Sequence, residues 1–144
     1  REIFARAMPN KTAAQTKLAL VGILDSMDAV PGVMSTDEGA EFKGVFTEEL
    51  ERRKIGQKFK DGKNAIAIVD RAVANLKLTL AKMMATKSGS WKSLLSKAVD
   101  ALNATPKPVL HNEAPEDVEG NDEVQFILLQ DNARNLQKNK ALLA

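Results

Sequence analysis

Six apolar residues, Ile66, Val69, Val73, Leu76, Leu80 and Met83, recur at three- and four-residue steps. A helix turns once every 3.6 residues, so this spacing predicts a long helix with one buried stripe. No other stretch is as regular, and the rest of the chain has to fit around it. Glu2 to Met8 alternates weakly and stops at Pro9, which suits a short strand ending in a turn. Asn10 or Thr12 caps a predicted helix through about Met27, broken by Pro31 and Gly32. Val33-Met34-Ser35 reads as a short buried strand that ends at Asp37, and IGQKF, residues 55 to 59, as another. Between them a helix is predicted from Phe42 to Lys54, with Phe42, Val45, Phe46 and Leu50 inward. Ser88-Gly89 ends the long helix, and Ser90 caps the next, with Trp91, Leu94, Leu95, Ala98, Val99 and Leu102 inward. Residues 105 to 115, TPKPVLHNEAP, carry three prolines and read as a loop, and a last helix is predicted from about Asn121 to Leu143. Short strands separated by helices predict an α/β fold rich in helix.

Composition removes several chemistries. At 144 residues the chain is long enough for one sizeable core. With no cysteine there are no disulfides, thiolate zinc sites or cysteine nucleophiles, and with one histidine, His111, there is no multi-histidine metal site. Carboxylates are left as the metal ligands. The net charge of +2 is small, so an anionic partner has to be met by a local basic patch. No apolar run approaches the roughly 20 residues of a membrane span, and no membrane partner is expected.

Two acids in regular elements stand out. Asp37 follows the short strand within STDEGAEF, residues 35 to 42, and Asp70 lies 33 positions later within the long helix. A strand and a helix between them can return the chain so that the two acids face one another, and two or three converging carboxylates can hold a pair of Mg²⁺ ions for in-line phosphoryl displacement. Each has a plainer reading: Asp37 as a turn or N-cap residue, Asp70 as a solvated helix residue paired with a nearby base. His111 reads as a packing or hydrogen-bonding loop residue and Trp91 as core. Arg52, Arg53, Lys54, Lys58, Lys60 and Lys63 cluster before the long helix and are either a solvated surface or an anion-binding one.

STDEGAEF resembles the D-N-G-x-E-F motif around the second catalytic aspartate of retroviral and retrotransposon integrase cores. DRAVANLK, residues 70 to 77, is similar to the E-R-x-x-x-T-L-K helix of that family, with Asp70 where its glutamate stands. NKTAAQTK at 10 to 17 resembles the K-T-A stretch opening the family's first helix, and Trp91, ALNATP at 101 to 106 and HNEAPEDV at 111 to 118 resemble its W…YN…H…P ending. The resemblance implies a truncated RNase H-like domain, helix-rich with a small mixed sheet remnant, in which Asp37 and Asp70 are the catalytic, metal-binding positions. It also implies that Lys54, Lys58, Lys60, Lys63, Arg71 and Lys77 approach a nucleic-acid backbone. The chain departs from the pattern in five places, one being an interval between Asp37 and Asp70 slightly shorter than the family's. The family's first acid lies upstream of the REIFAR-like segment, and the sequence starts after it. Asp70 is one methylene short, which withdraws its oxygens by about one ångström. Glu38 replaces an asparagine, and Ala74 stands where a lysine is expected.

These features lead to two expected functions. One is a non-catalytic, integrase-derived subunit that binds DNA or RNA backbone or acts as a scaffold in a nucleoprotein or ribonucleoprotein assembly, with no cofactor. The other is a fragment of an active retroelement integrase, carrying out DNA integration with Mg²⁺ in the nucleus; a recruited structural subunit would also suit an organelle. Either expects other protein subunits and allows a multimer, because sheet edges left by truncation are sticky. An unrelated helical adaptor is the third reading. The expected organisation is an integrase-core-like domain over residues 1–104, a proline-rich loop over 105–120 and a C-terminal helix over 121–144.

Overall fold

The computed structural model describes residues 1–60 and 67–143. It comprises two compact units, one spanning Phe4–Ala98 and the other Arg1–Ile3 with the chain from Val99 onward.

In the Phe4–Ala98 unit, helix α1 (Ala13–Ser26) starts where Thr12 caps it, its hydroxyl accepting from the Gln15 amide at 3.3 Å. The helix stops ahead of Pro31. Strand β1 (Val33–Thr36) follows, then a 3-10 turn (Ala40–Phe42), helix α2 (Val45–Arg52) and strand β2 (Gly56–Phe59). The helix expected from Phe42 onward starts three residues later. Gly44, at φ 59 and ψ −122, takes a backbone conformation open to glycine, and this separates the 3-10 turn from α2.

β1 and β2 pair in parallel, with Val33 opposite Gly56 and Thr36 opposite Phe59. Parallel strands need a crossover connection, and α2 is that crossover. Leu20 and Leu24 on α1, one turn apart, meet Phe46 and Leu50 on α2, and Ile55 closes the cluster. Each such side chain contributes about 1.5–3 kcal/mol when fully buried. Phe42 packs its ring edge-on against Phe46, with centroids 5.3 Å apart.

α2 ends in a Schellman turn: the Lys54 amide donates to Glu51 O and the Ile55 amide to Leu50 O, both at 2.9 Å. Lys54 is left-handed, at φ 59, in a position that favours glycine.

Helix α3 (Ala67–Thr86) buries only Leu80. The stripe expected to be buried along it is half-covered at Leu76 and Met83, on either side of Leu80, and exposed at Val69 and Val73. Ile66 lies outside the described residues. Helix α4 (Trp91–Ala104) buries Leu94, Leu95 and Ala98, whereas Trp91, expected in the core, is 43% exposed with Lys92 Nζ 5.8 Å from its ring centroid.

In the other unit the Asn103 side chain brackets Ile3, accepting from its amide and donating to its carbonyl, both at 2.8 Å. This replaces the strand expected at Glu2 to Met8: the segment finds an amide side chain 100 positions away instead of a neighbouring strand. The described sheet is accordingly a parallel pair, not a mixed one. Helix α5 (Asp122–Leu143) packs through Val124 and through the half-buried Ile127 and Leu128. The Asn121 side chain caps it, its Oδ1 accepting from Val124 N at 3.1 Å. His111, itself left-handed, is a hydrogen-bonding loop residue whose Nε2 lies 2.9 Å from Asp131 Oδ2.

Candidate functional site

The acidic turn forms where β1 leaves the sheet. Thr36, the last strand residue, is buried, and Gln57 across from Met34 ties the turn together. Its Nε2 donates to Thr36 Oγ1 at 3.2 Å and to Phe42 O at 2.8 Å, while its Oε1 accepts from the Thr47 hydroxyl at 2.7 Å. Strand end, 3-10 turn and crossover helix are thus fixed by one glutamine. Within the turn, Asp37 Oδ1 accepts from the Gly39 amide at 2.9 Å, an Asx turn, so the plainer reading of Asp37 describes what its backbone surroundings do. The side chain stays exposed.

Glu41 is almost fully buried and its Oε1 lies 2.7 Å from Lys11 Nζ. A Cβ on Gly39 would meet the Glu41 carboxylate at 2.6 Å, so the carboxylate lies directly over Gly39. The hydrogen bond to Glu41, followed by its charge, raises the Lys11 pKa, and the Asp37 charge adds to that; the same hydrogen bond holds the Glu41 carboxyl below its ordinary value. An ammonium therefore already stands beside the acids of this turn.

Asp70 is exposed in the first turn of α3, where a carboxylate suits the positive end of the helix dipole, and Arg71 is exposed next to it. Asp37 and Asp70 belong to the same compact unit. Among the described residues no three histidine, aspartate or glutamate side chains gather as a metal-binding group. A pair of Mg²⁺ ions requires such a set, so these residues do not by themselves fit a two-metal centre.

The basic cluster divides. Arg52 grips Glu49 through Nε at 3.0 Å and Nη2 at 2.6 Å, and Arg53 Nε reaches the same carboxylate at 2.7 Å while its Nη2 holds Asp25 on α1 at 3.0 Å. Lys17 Nζ stands 4.0 Å away. The hydrogen bonds from Arg52 and Arg53 pull the Glu49 pKa to about 2; Arg53 joins α2 to α1 through Asp25, while Arg52 is held on Glu49 within its own helix. Lys58 is exposed opposite Ser35, on the face away from the core. Lys54 is exposed at the Schellman turn, and the Lys60 amide extends the sheet by donating to Thr36 O at 2.7 Å. Lys77 lines an apolar groove on α3. Lys63 lies outside the described residues.

Sequence reasoning missed the partners Lys11, Glu41 and Glu49. Each had a signal: Lys11 and Glu41 stand inside the K-T-A and E-F strings, and Glu49 precedes two arginines at helical spacing.

The fold is that of retroviral integrase catalytic cores, an RNase H-like fold. The catalytic core domain of BIV integrase matches with a TM-score of 0.71 at 19% sequence identity, over 88% of this chain and 82% of that one. The HTLV-2 integrase catalytic core domain, in complex with magnesium in a trimeric form, matches with a TM-score of 0.61 at 19% identity, over 73% of this chain and 68% of that one. No family model and no curated protein matches the chain. No helix among the described residues is long and apolar enough to cross a membrane.

Proposed function

We propose that this chain is a non-catalytic, integrase-core-like subunit that binds the phosphate backbone of DNA or RNA within a larger assembly. The observation that carries the reading is the Lys11–Glu41 pair at 2.7 Å beside Asp37, which balances the acidic turn with the chain's own cation. Asp70, a shorter acid than the family's glutamate, and Glu38 add to the case. Lys54, Lys58, Lys60 and Arg71 are the proposed phosphate contacts; Lys77, in its apolar groove, is set apart from them. Contacts of this kind bind without reading base sequence. The sheet among the described residues has only two strands and Val33 on it is exposed, which supports life in an assembly, since the edges of so small a sheet are sticky until covered.

The test is binding of a short duplex measured by fluorescence anisotropy against salt. Four phosphate contacts give a log–log slope of about −3 to −4, and Lys58→Ala reduces the slope by about one while leaving sequence preference flat. A salt-independent affinity, or strand transfer by the purified chain with Mg²⁺ or Mn²⁺, overturns the proposal.

The second reading is a fragment of a working integrase, favoured by the likeness to two catalytic cores, one of them solved with magnesium. In it Asp37 and Asp70 hold Mg²⁺ together with an acid encoded upstream of Arg1, and the metal would polarise the phosphodiester. A parent reading frame without an upstream aspartate removes that option.

A further inference from the structure

We infer that the apolar groove of the Phe4–Ala98 unit receives helix α5 of a second copy of this chain. The groove encloses about 490 Å³ between α3, α4 and the segment at Ala5 and Arg6. Val73, Leu76, Leu80 and Met84 form one wall, with Trp91 and Leu95 opposite. Val73 and Met84 are 43% and 47% exposed, so the wall presents uncovered apolar surface. Among the described residues two charged side chains line the groove, Arg6 and Lys77, and both are cations. The occupant this surface selects is an amphipathic helix with apolar residues at three- and four-residue steps and carboxylates at its flank.

Helix α5 has that composition. Val124, Ile127 and Leu128 serve its own unit, while Phe126, Leu129, Ala133 and Leu136 follow a three–four–three step along another face. Phe126 is 61% exposed and Leu129 67% exposed. Asp122 and Glu123, one turn before Phe126, supply the flanking carboxylates. From residue 132 to residue 143 the helix is exposed on every side, about three turns with no packing of their own. Isolated helices of that length are marginal in water, so a partner stabilises them. Groove and helix are matched in step and opposite in charge, and one chain carries both. A two-fold dimer satisfies both, each copy giving one helix and one groove.

The chain has no cysteine, so engineered thiols report the contact directly. A full-length chain bearing only Lys77→Cys is mixed with one bearing only Glu123→Cys and oxidised. The expected product is the disulfide-linked mixed dimer, lost when Phe126→Asp is added to the second chain. Light scattering of the unsubstituted chain should show a dimer that dissociates in Phe126→Asp. The pair Arg6→Glu and Lys77→Glu should weaken the dimer about tenfold or more, and Asp122→Lys with Glu123→Lys should restore it. Phe126 is exposed, so its substitution leaves the fold intact, with far-UV circular dichroism as the check. A monomer at all concentrations, same-site disulfides in place of the mixed one, or charge reversal without rescue overturns the inference.

Discussion

Lys11 Nζ lies 2.7 Å from Glu41 Oε1, joining the residue before the α1 cap to the 3-10 turn that follows β1. Lys11 is open to water and Glu41 is nearly enclosed, so the pair brings a solvated cation to a carboxylate that has few other partners. Because the hydrogen bond from Lys11 dominates both pKa shifts, Glu41→Gln should let the Lys11 ammonium titrate lower than in the unsubstituted chain. It should also loosen the turn, seen as faster exchange of the Phe42 amide, which donates to Gly39 O at 3.0 Å. Lysine-selective NMR titration is the check, and an unmoved Lys11 would mean that the pair is not held in solution.

Glu49 makes stability depend on acid. Its folded pKa is about 2 against 4.5 for the free group, and Glu41 is shifted in the same direction. A depressed carboxylate pKa contributes stability that is fully present above the unfolded value and is lost as pH falls through the folded one. The urea midpoint should therefore hold steady above pH 5 and decline from there toward pH 2. In Glu49→Gln the midpoint should start lower at neutral pH and lose much of that decline. A pH profile identical in the two proteins would show that Arg52 and Arg53 do not engage Glu49.

Elements with a local cause were legible in the sequence. Thr12 before α1 and Pro31 after it mark its boundaries by short-range chemistry, and both strands fell where patterning put them, although β1 is not the buried strand expected, with Val33 and Ser35 exposed and only Thr36 buried. What was hidden depends on distant partners. Ile3 in a weakly alternating segment has its backbone groups satisfied by Asn103, and nothing within ten residues of Ile3 reveals that. The stripe on α3 has the period of a buried face, yet period reports which residues share a face and not whether anything covers it. In the candidate site the string around Asp37 was readable because an Asx turn needs only neighbours in sequence. Arg52 and Arg53 read as free cations because their acid was not weighed against them.

Lys54 offers a stability gain. Its left-handed conformation disfavours a side chain bearing a Cβ, and the Schellman hydrogen bonds already fix the turn. Lys54→Gly should raise the unfolding free energy by about 0.5–1 kcal/mol, the relief of left-handed strain less the extra chain entropy of glycine. The same substitution should weaken nucleic-acid binding and shrink its salt slope by about one unit if Lys54 touches phosphate. Urea denaturation and anisotropy on one variant thus read two roles of one residue. A destabilised Lys54→Gly would contradict the turn geometry.

The buried Asn103 side chain both donates to and accepts from the backbone of Ile3. Asn103→Ala should cost about 1–2 kcal/mol, because it removes both hydrogen bonds from the half-buried backbone of Ile3. Asn103→Asp is the sharper test, since the shape is kept while the donor facing Ile3 O becomes a second acceptor. At neutral pH the aspartate should be worse than its shape predicts, with two oxygens opposed and a charge taken out of water. On acidification a protonated carboxyl can again donate to Ile3 O and accept from Ile3 N, so Asn103→Asp should recover part of its lost stability as pH falls. Both proteins carry the Glu49 loss, so the recovery is read as the gap between them. A gap that narrows as pH falls is the expected result; parallel profiles would mean that the bracket around Ile3 does not form.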